Sequence, residues 1–285
     1  MRLLTLKSIL VATDLEGGSE PALRAAAGLA RLSGAGLHLL HVADEPTPGD
    51  SNHLRERLAQ IAPPGAEVAS CRVLAGNPAE AILKHAELLR ADAIALGPHR
   101  RGRESVGPMG STAAAVVRGA PCPCLVVPED LRLPLERVTA AVDLSESSAG
   151  ALVVALSWAS ALRPPRRRAS LTVLHVARNA DAKSRSAALQ AEVERLRATG
   201  ADAAHVDVDS RLVTGVDPAE AILAQTRSEP VDLLVLGTRR VITAASELGS
   251  VSAAVVEAAT CPQLLVSPDA ARDALRNSPP MGVGH

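Results

Sequence analysis

The residues whose types and spacing suit chemistry lie in two short stretches. Asp14 follows an apolar run at 8–13, and Gly97-Pro98-His99-Arg100-Arg101-Gly102-Arg103 precedes Gly110-Ser111-Thr112, which opens a helical pattern. A carboxylate at the end of a strand accepts hydrogen bonds from a base amino group or a ribose hydroxyl. Glycine lets backbone approach a ligand closely, and the free N–H groups of a helix start bind an oxyanion with help from the helix dipole. Ser111 or Thr112 adds a hydroxyl donor, and the guanidinium forks of Arg100, Arg101 and Arg103 suit phosphate. A phosphate-bearing ligand is the natural occupant of such a loop. No GK[ST] follows, so this is not a Walker loop, and the glycines follow the fourth strand instead of the first, so it is not a GxGxxG dinucleotide turn. A structural turn with a helix cap accounts for a single instance of the pattern equally well.

Other chemistry is poorly supported. His99 shares the phosphate-side loop but has no identifiable partner to make it a general base. His41 and His175 end apolar strands and read as packed residues bonded to backbone. There are no paired carboxylates, no nucleophile elbow and no metal-spaced cluster. Nothing specifies turnover.

The elements that must position these residues alternate between short apolar runs and 3.6-period stretches. The first half reads as strands at about 8–13, 36–42, 67–74, 92–96 and 123–127, with helices at about 19–33, 51–62, 78–89 and 110–118. The second half reads as strands near 138–143, 170–176, 205–213, 231–236 and 263–267. Strands this apolar, alternating with helices, predict an α/β fold with a parallel sheet covered on both faces. In such a sheet ligands bind outside the carboxyl ends of the strands, where the strand order reverses, so the loops after strands one and four are the ones to watch.

Each half repeats the other. SILVATDLEGGSEPAL at 8–23 returns as RVTAAVDLSESSAGAL at 137–152, setting Asp14 opposite Asp143; LLHVAD at 39–44 returns as VLHVAR at 173–178. PAEAIL recurs at 78–83 and 218–223, leading to Gly97 and Gly237, and GSTAAAVVRGAPCPCLVV at 110–127 matches GSVSAAVVEAATCPQLLV at 249–266. The period is too long for a solenoid. Two tandem copies of one domain are expected, at 1–130 and 135–270, followed by a flexible tail at 271–285.

Composition bounds the rest. The 285 residues are 47% hydrophobic and 21% charged, enough to bury real cores, yet there is no Phe or Tyr and Trp158 is the sole tryptophan. Aromatic base-stacking platforms are therefore excluded, and with them the commonest single-strand and RNA readers. A formal charge of −1 creates no field that would draw the chain to nucleic acid or an anionic membrane. No run of ~18 uncharged apolar residues could span a bilayer. Three of the 30 basic residues are lysines and the rest arginines, a bias that genome composition explains. Cys71, Cys122, Cys124 and Cys261 are too few for a secreted disulfide scaffold and read as reduced thiols in a cytoplasmic protein.

With these motifs assembled, the chain resembles a tandem universal stress protein. The marks are ILVATD and VTAAVD, the LHV after strand two, the PAEAI stretch, and the loop from a glycine to Gly-Ser followed by Cys-Pro and an apolar ending. The resemblance implies two flavodoxin-like (adenine nucleotide alpha hydrolase-like) domains, each a five-stranded parallel sheet of order 3-2-1-4-5. It also implies dimers made through the fifth strands. Here that would be an intrachain pseudo-dimer through 124–127 and 264–266, with a homodimer as a further option. In one subclass of the family ATP is held by a G-x-x-G, nine residues, G-[ST] loop. Carried over by position, base and ribose contacts would be Ala12, Thr13, Asp14 and Val42, and phosphate contacts Gly97, Gly110, Ser111 and Thr112. The second copy would use Val142, Asp143, Val176, Gly237, Gly249 and Ser250. Magnesium would accompany the nucleotide.

Both copies depart from that loop. Arg100 and Arg240 replace its second glycine; nine residues separate Arg100 from Gly110, but only eight separate Arg240 from Gly249, and Glu247 adds an anion. An arginine there either fills the site or turns inward to make a charge-assisted contact with phosphate. Three readings stay open: a stress-response protein that binds or senses adenine nucleotide, chiefly in its first domain; a protein of the same fold that has lost ATP and acts through protein contacts; and a nucleotide-using enzyme of the same class.

Overall fold

The apolar runs become strands between turn and capping residues; the central ones are covered on both sides, while the edge strands at 68–75 and 206–214 leave residues exposed. The computed structural model describes residues 6–97, 109–198, 203–238 and 249–277. The chain divides into two units, one carried by residues 5–132 and the other by residues from 133 onward. The first runs β1 (Ser8–Ala12), α1 (Glu20–Ser33), β2 (Gly36–Ala43), α2 (Pro48–Gln60), β3 (Val68–Ala75), α3 (Pro78–Leu89), β4 (Ala93–Leu96), α4 (Ser111–Gly119) and β5 (Cys124–Val126). The second runs β6 (Arg137–Val142), α5 (Glu146–Ala161), β7 (Ala169–Ala177), α6 (Ala182–Arg197), β8 (Val206–Thr214), α7 (Pro218–Ser228), β9 (Leu233–Gly237), α8 (Ser250–Ala258), β10 (Gln263–Val266) and α9 (Pro268–Asn277).

Within the first unit the strands lie in the order β3-β2-β1-β4-β5, and within the second β8-β7-β6-β9-β10, all pairs being parallel. The order reverses beside the first strand of each unit, between β1 and β4 and between β6 and β9. Ligand crevices in open α/β sheets form at such points.

Without phenylalanine or tyrosine the cores are aliphatic. Ile9, Leu10, Val11, Leu37, Leu39 and Ile94 fill the first sheet, and α1 lies on it through Ala22, Ala25, Ala26 and Leu29, all buried. Small side chains let that helix sit close to the strands. Helix starts are set by local caps. The Thr47 hydroxyl accepts from Asp50 N at 3.2 Å while the Asp50 carboxylate accepts from Thr47 N at 3.1 Å. This capping box begins α2 at Pro48, ahead of the position that hydrophobic periodicity indicates. Asn77 and Asp217 cap α3 and α7 in matching fashion.

The C-terminal segment corrects one expectation. Residues 271–277, expected to belong to a flexible tail, complete α9. The Ser267 hydroxyl accepts from Ala270 N at 3.2 Å, and Ala270 and Ala271 are buried. Ala271 sits on α5 where a Cβ on Gly150 would lie 2.5 Å from the Ala271 Cβ, so the glycine makes the groove that receives it. No described helix is long and apolar enough to cross a membrane.

At the end of each sheet remote from the crevice, a carboxylate ties the first strand to the fourth. Asp92 accepts from Lys7 N at 2.7 Å and Ser8 N at 3.0 Å. Asp232, 3% exposed, accepts from Glu136 N at 3.0 Å, Arg137 N at 2.8 Å and the Arg137 guanidinium at 3.0 Å. Removing the charge while keeping the shape leaves these part-buried donors poorly matched. Asp232→Asn is expected to cost the second domain about 3 kcal/mol. Trp158 is the only tryptophan and is buried in that domain. Its fluorescence during urea unfolding therefore reads the loss directly, and an unchanged midpoint would refute the role.

Candidate functional site

Beyond the last residue of β1 the chain turns sharply, and its own side chains hold the turn. Leu15 has φ 63°, a left-handed conformation that costs a branched residue roughly 1 to 2 kcal/mol. The Thr13 hydroxyl accepts from Leu15 N at 3.0 Å and the Asp14 carboxylate accepts from Glu16 N at 3.1 Å. Thr13 and Ser19 share a buried hydroxyl contact of 2.5 Å, which ties the turn to the start of α1. Arg57 of α2 donates to the Leu15 carbonyl at 3.3 Å.

The second domain repeats the device. Leu144 has φ 62°, and Asp143 accepts from Ser145 N at 3.0 Å. Strand two supplies the final lock in both domains. His41 Nδ1 lies 2.8 Å from the Thr13 carbonyl, and His175 Nδ1 lies 2.8 Å from the Val142 carbonyl. A carbonyl only accepts, so Nδ1 carries the proton in each and Nε2 is the nitrogen left over. These histidines are backbone-bonded packing residues, as their place among apolar neighbours implies.

A cavity of ≈ 400 Å³ opens over the carboxyl ends of β1, β2 and β4, a volume within the range of small-molecule sites. Of the residues expected from sequence, Ala12, Thr13, Asp14, Val42, Gly97 and Thr112 line it. Gly110 and Ser111 are the N-cap and first residue of α4 and do not form part of its wall. Arg100, like His99, Arg101 and Arg103, lies outside the described residues. The wall also contains Leu40, His41, Leu54, Pro78, Ile82 and Leu96. Sequence reasoning did not place these six in a site, although repetition of PAEAI in both halves was a usable signal for Pro78 and Ile82.

The cavity wall combines two kinds of surface. Leu40, Val42, Leu54, Ile82 and Leu96 make an aliphatic slot, while Thr112 brings a hydroxyl at the first turn of α4, where the helix dipole is positive. Asp14, Glu16 and Asp44 place carboxylates around the strand-one and strand-two side. An anionic group would be repelled from that side and favoured toward Gly97 and Thr112.

In the second domain a cavity of ≈ 280 Å³ is lined by Val142, Asp143, Val176, Gly237, Gly249 and Ser250, all expected from sequence, together with His175, Pro218 and Ile222. Arg240 and Glu247 lie outside the described residues. Here Val251 takes the place of Thr112, and the Ser252 hydroxyl is spent on the Gly237 carbonyl at 3.0 Å. The second cavity is smaller, and the hydroxyl at its helix start comes from Ser250, one position earlier than Thr112 in the first.

Gly97 has a cause that the motif alone does not reveal. A Cβ there would lie 2.6 Å from the Gly18 carbonyl oxygen and 2.9 Å from Ser19 Cα. The glycine therefore admits the backbone at the start of α1, whether or not a ligand is present. At Gly237 the nearest atom to such a Cβ is the Ser147 carbonyl oxygen, at 3.4 Å, an approach that small adjustments absorb.

The model of the universal stress protein family matches residues 5–128 and again 134–267. A curated universal stress protein of Thermus aquaticus, described by its place in the 3' region of a QAH/OAS sulfhydrylase, is 39% identical over 140 residues, covering 42% of this chain and 98% of its own length. The crystal structure of a universal stress protein from Archaeoglobus fulgidus superposes with a TM-score of 0.70 at 20% identity, covering 94% of this chain and 100% of that one. A functionally unknown protein from Pseudomonas aeruginosa superposes at 0.64 with 18% identity, covering 96% and 99%. At these identities the two structures speak for the fold.

The glycine contacts yield an asymmetric expectation. Gly97→Ala forces backbone apart and is expected to destabilise the first domain by about 2 kcal/mol, while Gly237→Ala costs the second less than about 1. Urea unfolding followed by far-ultraviolet circular dichroism compares the two. Equal, small effects would show that Gly97 is not needed for packing.

Proposed function

The chain belongs to the universal stress protein family, and from that premise we propose that it binds an adenine nucleotide, ATP, in the cavity of its first domain and serves as a sensor in the stress response, not as a fast enzyme. The observation that carries the reading is the first cavity itself: an aliphatic slot and a hydroxyl-bearing helix start joined in one space of ≈ 400 Å³. Adenine, with no Phe, Tyr or Trp in the cavity wall, lies between Val42, Leu40 and Ile82. Asp14 and the strand-one backbone face the base and ribose. The phosphates run toward Gly97 and the α4 N-terminus, away from Asp14, Glu16 and Asp44.

The residues present fit such a ligand. Magnesium would come with the phosphates and screen them from the carboxylates; among the described residues no group of three or more His, Cys, Asp or Glu side chains is placed to hold a metal ion. The four free cysteines suit a reducing, cytoplasmic setting.

One observation favours a second reading, in which the protein keeps the fold and acts through protein contacts without ATP. Packing against Gly18 and Ser19 already explains Gly97, and arginine stands at the second glycine of the loop in both halves.

Titration with a fluorescent ATP analogue separates the two. Wild type is expected to saturate. Thr112→Val, which installs the residue of the second domain, is expected to weaken binding about tenfold, the worth of one charge-assisted hydrogen bond. Val251→Ala in the other domain should leave the affinity unchanged. Absence of saturable binding by the wild type would discard the nucleotide reading in favour of the protein-contact one.

A further inference from the structure

Beneath the first cavity lies a cluster that the nucleotide reading does not use. Side chains alternate along a strand, so His38 shares a face of β2 with Leu40 and Val42, both of which line the cavity. His38 stands opposite Ser70 on β3, and its Nδ1 lies 2.8 Å from the Ser70 hydroxyl. His85 lies one turn beyond Ile82 on α3, the helix that supplies Pro78 and Ile82 to the cavity wall. Its Nε2 is enclosed and has no hydrogen-bond partner among the described residues.

The electrostatic neighbours of His85 are Arg72 of β3 and His38 of β2. On α3 itself Glu80, Lys84 and Glu87 are exposed, Cys71 alternates to the other face of β3 with its thiol pushed up by burial, and α4, which packs on α3, carries Arg118 in its last turn. A proton added to half-buried His85 would therefore meet the charge of Arg72, and its Nε2–H would find no acceptor among the described residues, while at His38 burial alone opposes the charge.

The second domain has the same strands and helix but no such pair. The residue matching His38 is Thr172, opposite Asp209, and the residue matching His85 is Gln225. Arg211, matching Arg72, is paired with Glu229.

We propose that His38 and His85 form an acid-sensitive latch that holds α3 against β2 and β3 in the first domain only, so that mild acid loosens α3 and with it one wall of the first cavity. Burial holds both imidazoles below their ordinary value, and for His85 the charge of Arg72 and then His38 add to it. In the unfolded or locally opened chain they titrate at about 6.5. The opened form therefore binds more protons as pH falls below that value, and the stability present above it is progressively lost. The latch operates without nucleotide, so its test is independent of ATP binding.

Hydrogen exchange read by mass spectrometry on the full chain, without nucleotide and corrected for intrinsic exchange, compares α3 with α7 as its internal reference. Between about pH 7.5 and about pH 5.5, protection of 78–89 is expected to fall about tenfold while that of 218–228 holds. The double variant His38→Thr, His85→Gln, which installs the residues of the second domain, should make α3 as insensitive as α7. Should that variant fold poorly, His85→Gln alone must at least reduce the fall. A loss shared equally by α3 and α7, no loss in α3, or a loss undiminished in the variants would overturn the latch.

Discussion

The architecture of each site rests on one carbonyl. At the end of strand one the chain must leave the sheet at once, through a left-handed leucine, and the carbonyl just before the turn is claimed by the imidazole of strand two. That hydrogen bond spans neighbouring strands, so it holds the end of strand two against the turn and fixes the direction the turn takes. The aspartate that follows spends one carboxylate oxygen on the turn and faces the cavity. With the turn anchored, α1 can start where it does, and strand four must end in a residue slim enough to pass its backbone.

The two halves share this frame and differ in what they hang on it. The first offers a larger cavity, a threonine hydroxyl at the helix start and a set of carboxylates on the opposite side. The second closes down to ≈ 280 Å³, replaces the threonine by valine and spends a neighbouring serine on its own backbone. Duplication explains why the frame is common, since the turn and the imidazole lock stabilise a domain whether or not anything binds. Most wall residues match as well, Leu40 with Leu174, Val42 with Val176, Ile82 with Ile222 and Leu96 with Leu236, and drift is confined to a few positions, Thr112 against Val251 among them. The His38 and His85 pair belongs to the same drift: the first domain keeps two titratable rings under α3 where the second has threonine and glutamine.

Much of the fold was legible because hydrophobic periodicity and internal repetition agree. Strands Ile9 to Val11 or Leu233 to Leu236 are apolar at every position, which only burial on both faces tolerates. Local caps were harder to see: Thr47 and Asp50 start α2 before any apolar residue of that helix appears, and Ser267 starts α9, most of which falls in the segment read as a tail. At the site, the residues after strand one and the role of the strand-end histidines followed from pattern. The reason for Gly97 did not, because the backbone it admits belongs to residues about eighty positions earlier, and no spacing rule encodes that contact. Ile82, Leu54 and Leu96 likewise become cavity wall only once the helices are docked. Arg100 and Arg240, the departures from the family loop, lie outside the described residues.

The central proposal is that the shared frame carries a nucleotide, chiefly in the first domain. A crystal structure of the full chain grown with ATP and magnesium tests it directly. The account predicts one nucleotide per chain, with adenine between Val42 and Ile82 and phosphates at Gly97 and Thr112. A nucleotide seated instead at Asp143, Val176 and Ser250, or both cavities free of it at saturating ATP, would contradict the account.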